Sequence, residues 1–122
     1  MMQYHKLVPI EHATPLPVMD AAMHSCRTLW LTGEITDDSA AVLSTAIRLL
    51  DKQSNDDITV YLMTPGGSVS AGLAIYDTFR TVESDIVTVA TGGCASMGAI
   101  LLAGGTHGKR YATPNAEIMI HQ

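Results

Sequence analysis

Between positions 86 and 103 the sequence reads IVTVATGGCASMGAILLA, and this stretch decides how the chain folds. Residues 86–90 are mostly β-branched and predict a strand, whereas the apolar residues 97–103 predict a short helix. Two glycines and Ser96 lie between them, so the order is strand, sharp turn, serine and helix start. At a helix N-terminus the Oγ of Ser96 can point out of the sheet, beside N–H groups that lack intrahelical partners.

Two interpretations of Ser96 stay open on this stretch alone. As a nucleophile, it would attack a carbonyl while the free N–H groups hold the developing oxyanion. As a helix N-cap, it would only satisfy a backbone donor, a role for which serine is among the preferred residues. The elbow signature G-x-S-x-G is not met, because Cys94 stands where its first glycine would be.

The sequence around this stretch predicts strands that alternate with amphipathic helices. The strands are expected at 28–31, 58–64 and 86–90, the helices at 39–50, 68–81 and 97–103, and two short strands near 110–111 and 117–121. Such alternation is typical of successive right-handed βαβ units with a parallel sheet. We expect the helix 39–50 to bury one face through Val42, Ala46, Leu49 and Leu50.

Parallel sheets collect functional sites beyond the carboxyl ends of their strands, and two glycine-containing turns lie there. Residues 66–67 and 93–96 follow consecutive strands and should face each other if those strands are neighbours. The turn at Gly66 and Gly67 is either a plain connection or a place where a substrate carbonyl approaches the N–H of Gly67. In the second case the N–H of Met97 would be the other donor of an oxyanion hole.

A serine nucleophile needs a base, and histidine suits that role near neutral pH. His121 ends the predicted strand 117–121, at the sheet edge shared with Ser96; the alternative is a strand-end histidine bonded to backbone. Four further histidines lie in the N-terminal arm or a glycine-rich loop: His5, His12, His24 and His107. None has the spacing of a metal site, so no metal is expected.

Composition narrows the class of protein. A chain of 122 residues predicts one domain, and 47% hydrophobic residues with a mean hydropathy of +0.19 suggest apolar surface reserved for partner subunits. The net charge of −5 argues against binding nucleic acid or an anionic membrane. Two cysteines without a disulfide framework and no membrane-spanning run lead us to expect a soluble, cytoplasmic protein.

Five motifs resemble the proteolytic subunit of the Clp protease, ClpP, in order and in spacing. They are TPGGSV at 64–69, AGLAIYDT at 71–78, ASMGA at 95–99, GKRYA at 108–112 and IMIHQ at 118–122. The resemblance covers residues 27–122, and several long motifs in register are far more specific than a lone elbow. It divides the chain into an irregular arm, 1–26, with one short helix near 18–24, and a ClpP-like α/β domain, 27–122.

The resemblance implies a crotonase-like fold of repeated βαβ units and a serine endopeptidase that acts on unfolded polypeptides. Ser96 matches the nucleophile and His121 the general base, while the N–H groups of Gly67 and Met97 match the oxyanion hole. Extended substrate would pair near Gly66, Ser68 and Val69. It also implies a homo-oligomer of two heptameric rings and a partner AAA+ unfoldase such as ClpX, ClpA or ClpC. This chain would need no cofactor, because ATP is used by that ATPase.

The sequence departs from the family in three places. The family's triad aspartate and ring-joining handle helix follow the strand that here stops at Gln122, so we expect a truncated or fragmentary chain, incomplete at its C-terminus. The arm lacks the family's Gly-Glu-Arg segment. Thr81 and Ser84 replace an aromatic residue and a proline, which bears on docking of the ATPase.

Three alternatives to an active protease follow from these departures. One is a catalytically inactive, ClpR-like subunit that packs into a ring, and another is a truncated, non-functional fragment. A more distant one is an acyl-CoA-processing crotonase relative with a similar oxyanion hole. The serine and histidine together argue against the last.

Overall fold

The computed structural model of the protein describes residues 15–120, with side chains from residue 18 onward. Nine elements follow one another in this range: α1 (Pro15–Cys26), β1 (Thr28–Thr32), α2 (Asp37–Gln53), β2 (Ile58–Thr64), α3 (Val69–Thr81), β3 (Ile86–Ala95), α4 (Met97–Ala103), β4 (Arg110–Ala112) and β5 (Glu117–Met119). The expected short helix near 18–24 is confirmed and is longer than expected. The second half of the segment 1–26 is therefore helical, and residues 1–14 of the expected arm lie outside the described residues.

The strands form one parallel sheet in the order β1-β2-β3-β4, and β5 also pairs with β3. Thr28 to Thr32 lie opposite Thr59 to Met63, and Ile58 to Leu62 lie opposite Ile86 to Ala90. Helices α2 and α3 connect these neighbouring strands, so the predicted succession of βαβ units is confirmed. The turns after β2 and β3 consequently meet at the same edge of the sheet.

Strand β3 is longer than the sequence pattern predicts. We expected it to end at Ala90 before a sharp turn, but it continues through two glycines to Ala95. The register with β2 shifts between the pairs Leu62–Ala90 and Thr64–Cys94, and Gly92 takes a φ of +59° at this irregularity. A bulge of this kind holds extra residues and bends the strand. Beyond it, β3 exchanges its partner β4 for β5.

The hydrophobic core lies between the sheet and the helices α2, α3 and α4. Alternate residues of β1 and β2 are buried, as expected for strands with one covered face. The predicted face of α2 is wrong in part: Val42 is 72% exposed and Leu49 is 47% exposed. Its buried residues are Ala40, Leu43, Ile47 and Leu50. Both sets have helical spacing, so the period alone cannot choose between them.

Val42 instead faces a groove of about 480 Å³ between α1 and α2, which Met19 and Met23 also line. Of the predicted face of α2, Val42 and Ala46 thus line this groove. In the described part of the chain, no helix is long and apolar enough to cross a membrane.

Polar groups fasten the C-terminal end of α2 to the amino ends of the strands. The guanidinium of Arg27, just before β1, donates to the carbonyl oxygens of Leu50 and Ser54, each at 3.0 Å. The carboxylate of Asp51 accepts hydrogen bonds from the N–H and from the Oγ of Ser84, both at 2.8 Å. The backbone N–H of Ser84 contributes most to holding the pKa of Asp51 below its ordinary value of 3.8.

We expect the Asp51→Asn variant to reveal this interaction through pH. Because the folded-state pKa of Asp51 is lowered, its ionised form stabilises the native state above about pH 4. That stabilisation is lost as the pH falls through the folded-state pKa. The variant should therefore melt below the wild type at pH 7, and the gap should narrow towards pH 3. A gap in melting temperature that stays constant over this range would contradict the assignment.

Candidate active site

Ser96 lies between the end of β3 and the first residue of α4. Its backbone has φ 58° and ψ −121°, a conformation that non-glycine residues rarely adopt. Ser96 occupies the N-cap position of α4, yet its side chain makes no capping hydrogen bond. The hydroxyl of this partly exposed residue is therefore not used in the way that a helix N-cap uses it.

Backbone hydrogen bonds hold Ser96 on both sides. Its N–H donates to the carbonyl oxygen of Met119 in β5 at 2.9 Å. Its own carbonyl oxygen accepts from the N–H groups of Ala99 at 3.0 Å and Ile100 at 3.3 Å, in the first turn of α4. The strained conformation is thus stabilised by β5 on one side and by the first turn of α4 on the other.

The turn after β2 packs directly against Ser96. A Cβ atom placed on Gly66 would lie 2.8 Å from the Cβ of Ser96 and 3.3 Å from the backbone N of Met97. Gly66 also has a φ of +100°. Only glycine combines this backbone conformation with such a close approach. The structure therefore brings the two glycine-containing turns together, as the strand order requires.

The position of Gly67 depends on a short bridge to Ile35, a buried residue between β1 and α2. The N–H of Ile35 donates to the carbonyl oxygen of Gly66 at 2.8 Å, and the N–H of Ser68 donates to the carbonyl oxygen of Ile35 at 2.9 Å. In this parallel bridge, Ile35 is hydrogen-bonded to Gly66 and Ser68, the two neighbours of Gly67. The N–H of Gly67 itself therefore points away from Ile35. Gly67 is an exposed residue.

Met97 supplies the second candidate donor. It is the first residue of α4, so no acceptor four residues earlier in the helix exists for its N–H. Its side chain is only 3% exposed and belongs to the core, which anchors this end of the helix. The arrangement places a helix N-terminus beside Ser96, where partial positive charge favours a developing anion.

The three residues predicted to contact substrate differ in what they offer. Gly66 is buried, and both its N–H and its carbonyl oxygen are engaged within the chain, by Thr64 and Ile35. The hydroxyl of Ser68 caps α3 by accepting from the N–H of Ala71 at 3.1 Å. Val69 begins α3 with a side chain that is 62% exposed.

His121 lies outside the described residues. The described chain leads to it through β5, whose last residue, Met119, bonds the N–H of Ser96. The exposed His24 contacts Asp20 at 3.2 Å, and the exposed His107 contacts Arg110 at 3.1 Å. Among residues 15–120 no group of three or more histidine, cysteine or acidic residues is placed to hold a metal ion.

Cys94, two residues before Ser96, is fully buried. Burial raises the pKa of its thiol, since the charged thiolate is disfavoured away from water. The residue that replaces the first glycine of the elbow signature therefore behaves as part of the core.

Two residues that shape this site, Ile35 and Thr64, are not predicted as site residues from the sequence. Ile35 forms the bridge to Gly67, and the hydroxyl of Thr64 accepts from the N–H of Gly66 at 3.1 Å. The role of Thr64 could have been predicted from its place at the end of a strand, directly before Pro-Gly-Gly. No local pattern marks Ile35, because its contact spans more than thirty positions of the chain.

We expect Gly66→Ala to destabilise the fold more than Gly108→Ala. Both glycines have positive φ, +100° and +83°, but only Gly66 faces atoms that an added methyl would strike. The shared backbone strain costs about 1–2 kcal/mol, and the clash with Ser96 adds about 1–3 kcal/mol. Urea denaturation of the two variants measures the difference. Equal losses of unfolding free energy would show that Gly66 and Ser96 are not in contact.

Comparison with known proteins agrees with this geometry. The sequence model of the Clp protease family matches residues 17–122. A curated relative, the ATP-dependent Clp protease proteolytic subunit 1 of Leifsonia xyli subsp. xyli (strain CTCB07), is 50% identical over 97 residues, which make up 79% of this chain and 49% of the relative. The chain thus spans about half the length of the curated relative that it matches.

A solved structure gives the same result for the fold. The crystal structure of the ClpP protease catalytic domain from Plasmodium falciparum matches with a TM-score of 0.86 at 40% identity, covering 90% of this chain and 61% of that chain. The expected ClpP-type α/β fold is therefore confirmed. On sequence and on structure alike, the chain belongs to the Clp protease family.

Proposed function

We propose that this protein is a serine endopeptidase subunit of a Clp-type protease, with Ser96 as its nucleophile. One observation carries the proposal: Ser96 sits in a strained turn at a helix N-terminus, its hydroxyl makes no capping bond, and Gly66 packs against its Cβ. Such strain persists only where the surrounding structure enforces it, and it is common at active sites. Family membership supports the same reaction class.

In the proposed mechanism, His121 accepts the proton of Ser96 as Oγ attacks the carbonyl carbon of a peptide bond. The carbonyl oxygen becomes an oxyanion and accepts hydrogen bonds from the N–H groups of Gly67 and Met97. When the tetrahedral intermediate collapses, the C–N bond breaks and the leaving amine takes the proton from His121. A water molecule then hydrolyses the acyl-enzyme on Ser96, again with His121 as the base.

Substrate in this proposal is an extended, unfolded polypeptide. Its backbone would lie beside Gly66, Ser68 and Val69. Both polar groups of Gly66 are bonded within the chain, so other backbone groups of this segment would make the main-chain hydrogen bonds, which provide affinity with little dependence on sequence. The exposure of the residues Gly67 and Val69 supports this placement. The roles proposed for the described residues of the site require neither a cofactor nor a metal.

We further propose an oligomeric assembly, a partner ATPase and a cellular location for this protein. A curated relative is named as a proteolytic subunit of an ATP-dependent Clp protease. From the family resemblance we propose a homo-oligomer of two heptameric rings in the cytoplasm, served by an AAA+ unfoldase that uses the ATP. Several large apolar side chains support contact with other subunits, because they are exposed here. They include Val42 at 72%, Leu49 at 47% and Leu73 at 47% exposure.

A fluorophosphonate probe tests the nucleophile. We expect the wild type to be labelled once per chain, at Ser96, and Ser96→Ala to lose both labelling and at least about 10⁴-fold of peptide hydrolysis. The exposed serine Ser25 at the end of α1 gives the control, and Ser25→Ala should be labelled like the wild type. Labelling that survives Ser96→Ala would exclude this nucleophile. An unlabelled, inactive wild type would favour the ClpR-like structural subunit.

A second variant tests the base. His121→Ala should lower kcat for a short fluorogenic peptide by about 10⁴-fold or more, since Ser96 would then have no group to accept its proton. The wild-type rate should rise with pH between 5 and 8, because only the neutral imidazole can accept the proton. His24→Ala, at an exposed position on α1, serves as the control. A pH profile that is flat between 5 and 8 would contradict the role of His121.

A further inference from the structure

Thr64 is a buried polar residue whose side chain lies between the two halves of the candidate active site. It is the last residue of β2, only 1% exposed, and it lies opposite Cys94 of β3. A hydroxyl at such a depth needs hydrogen-bond partners, because leaving it unpaired is costly. Its partners therefore show which parts of the chain it connects.

The hydroxyl of Thr64 joins the turns that follow β1 and β2. It donates to the carbonyl oxygen of Gly33 at 2.5 Å and accepts from the N–H of Gly66 at 3.1 Å. The carbonyl oxygen of Gly66 is held in turn by the N–H of Ile35. Both polar groups of Gly66 are thus fixed, which sets the direction of the next N–H, that of Gly67.

The methyl group of Thr64 contacts the other half of the site. A Cβ atom placed on Gly98 would lie 2.7 Å from the Cγ2 of Thr64, so this methyl packs closely against α4. Gly98 directly follows Met97, the second candidate oxyanion donor. One side chain therefore contacts the neighbours of both donors, through its hydroxyl on one side and its methyl on the other.

We propose that Thr64 is a positioning residue that sets the distance and direction between the N–H groups of Gly67 and Met97. This inference rests on the proposed function, in which those two groups bind the oxyanion. Thr64 does not contact the substrate in this proposal. Its loss should affect the transition state rather than substrate binding, because the oxyanion exists only after attack has begun.

Two substitutions separate the hydroxyl from the shape of the side chain. Thr64→Val keeps the volume and the methyl but removes the hydroxyl, so the N–H of Gly66 and the carbonyl oxygen of Gly33 lose their partner. We expect its kcat to fall about 10- to 100-fold with KM within about twofold of the wild type. Thr64→Ser keeps the hydroxyl and should retain kcat within about threefold.

Thr88 provides a matched control. It is fully buried in β3, and its hydroxyl donates to the carbonyl oxygen of Leu102 at 2.8 Å, near the C-terminal end of α4. Thr88→Val therefore also removes a buried, hydrogen-bonded hydroxyl, one bond against the two of Thr64→Val, but away from both proposed donors. We expect the melting temperature to fall for both valine variants, more for Thr64→Val because it loses two bonds, and we expect no loss of kcat for Thr88→Val.

The experiment combines peptide hydrolysis, thermal melting and amide hydrogen exchange of Gly66. Faster exchange in Thr64→Val than in the wild type or in Thr64→Ser, together with the loss of kcat, would support the proposal. Equal kcat values for Thr64→Val and Thr88→Val would overturn it. So would a Thr64→Ser variant as slow as Thr64→Val, since the hydroxyl would then not be the cause.

Failure of the proposed protease function can be distinguished from failure of the positioning role of Thr64. If the wild type hydrolyses no peptide and Ser96 is not labelled, the role in catalysis falls with the proposed function. Amide exchange then still decides whether Thr64 holds the turn. Unchanged exchange of Gly66 in Thr64→Val would overturn the positioning role itself, whereas faster exchange that Thr64→Ser does not show would support it.

Discussion

The close approach of Gly66 to Ser96 is the constraint on which the carboxyl edge of the sheet depends. Strands β2 and β3 pair in parallel as far as Leu62 and Ala90, and the bulge in β3 then shifts the register before Thr64 meets Cys94. This shift delivers the end of β3 next to the turn after β2. No side chain fits on Gly66, because the Cβ of Ser96 already occupies that space.

The two ends of the parallel strands differ in the side chains that they carry: charged groups that hold the elements together lie at the N-terminal ends, and the candidate active site lies at the C-terminal ends. At the amino edge, charged groups fasten the elements: the Nζ of Lys109 lies 2.8 Å from a carboxylate oxygen of Asp85 and 3.0 Å from one of Asp57. Arg27 adds hydrogen bonds to the end of α2. The Gly108-Lys109-Arg110 motif, which contributes to the family resemblance, therefore places its lysine far along the strands from Ser96. At the carboxyl edge the groups around Ser96 are backbone amides and short side chains.

Most elements could be predicted from the sequence, and the errors have physical causes. Residues 58–64 and 97–103 form the predicted strand and helix, because their apolar runs end at strong turn residues. The predicted buried face of α2 is partly wrong, since α2 has two apolar stripes with the same period and only packing decides which one is buried. The end of β3 was missed because glycine pairs usually mark turns, whereas here β5 provides a partner for the residues beyond the bulge.

By itself, the sequence determined the order of the elements, the family and the candidate residues Ser96, Gly67, Met97 and His121. These depend on local patterns, such as turn residues at strand ends and a serine at a helix start. Only the tertiary structure decided that Ser96 leaves its capping bond unmade, that Ile35 directs Gly67, and that Thr64 contacts both halves of the site. The contacts of Ile35 with Gly67 and of Thr64 with Gly33 join positions about thirty residues apart, so they depend on strand register and helix packing rather than on any local pattern.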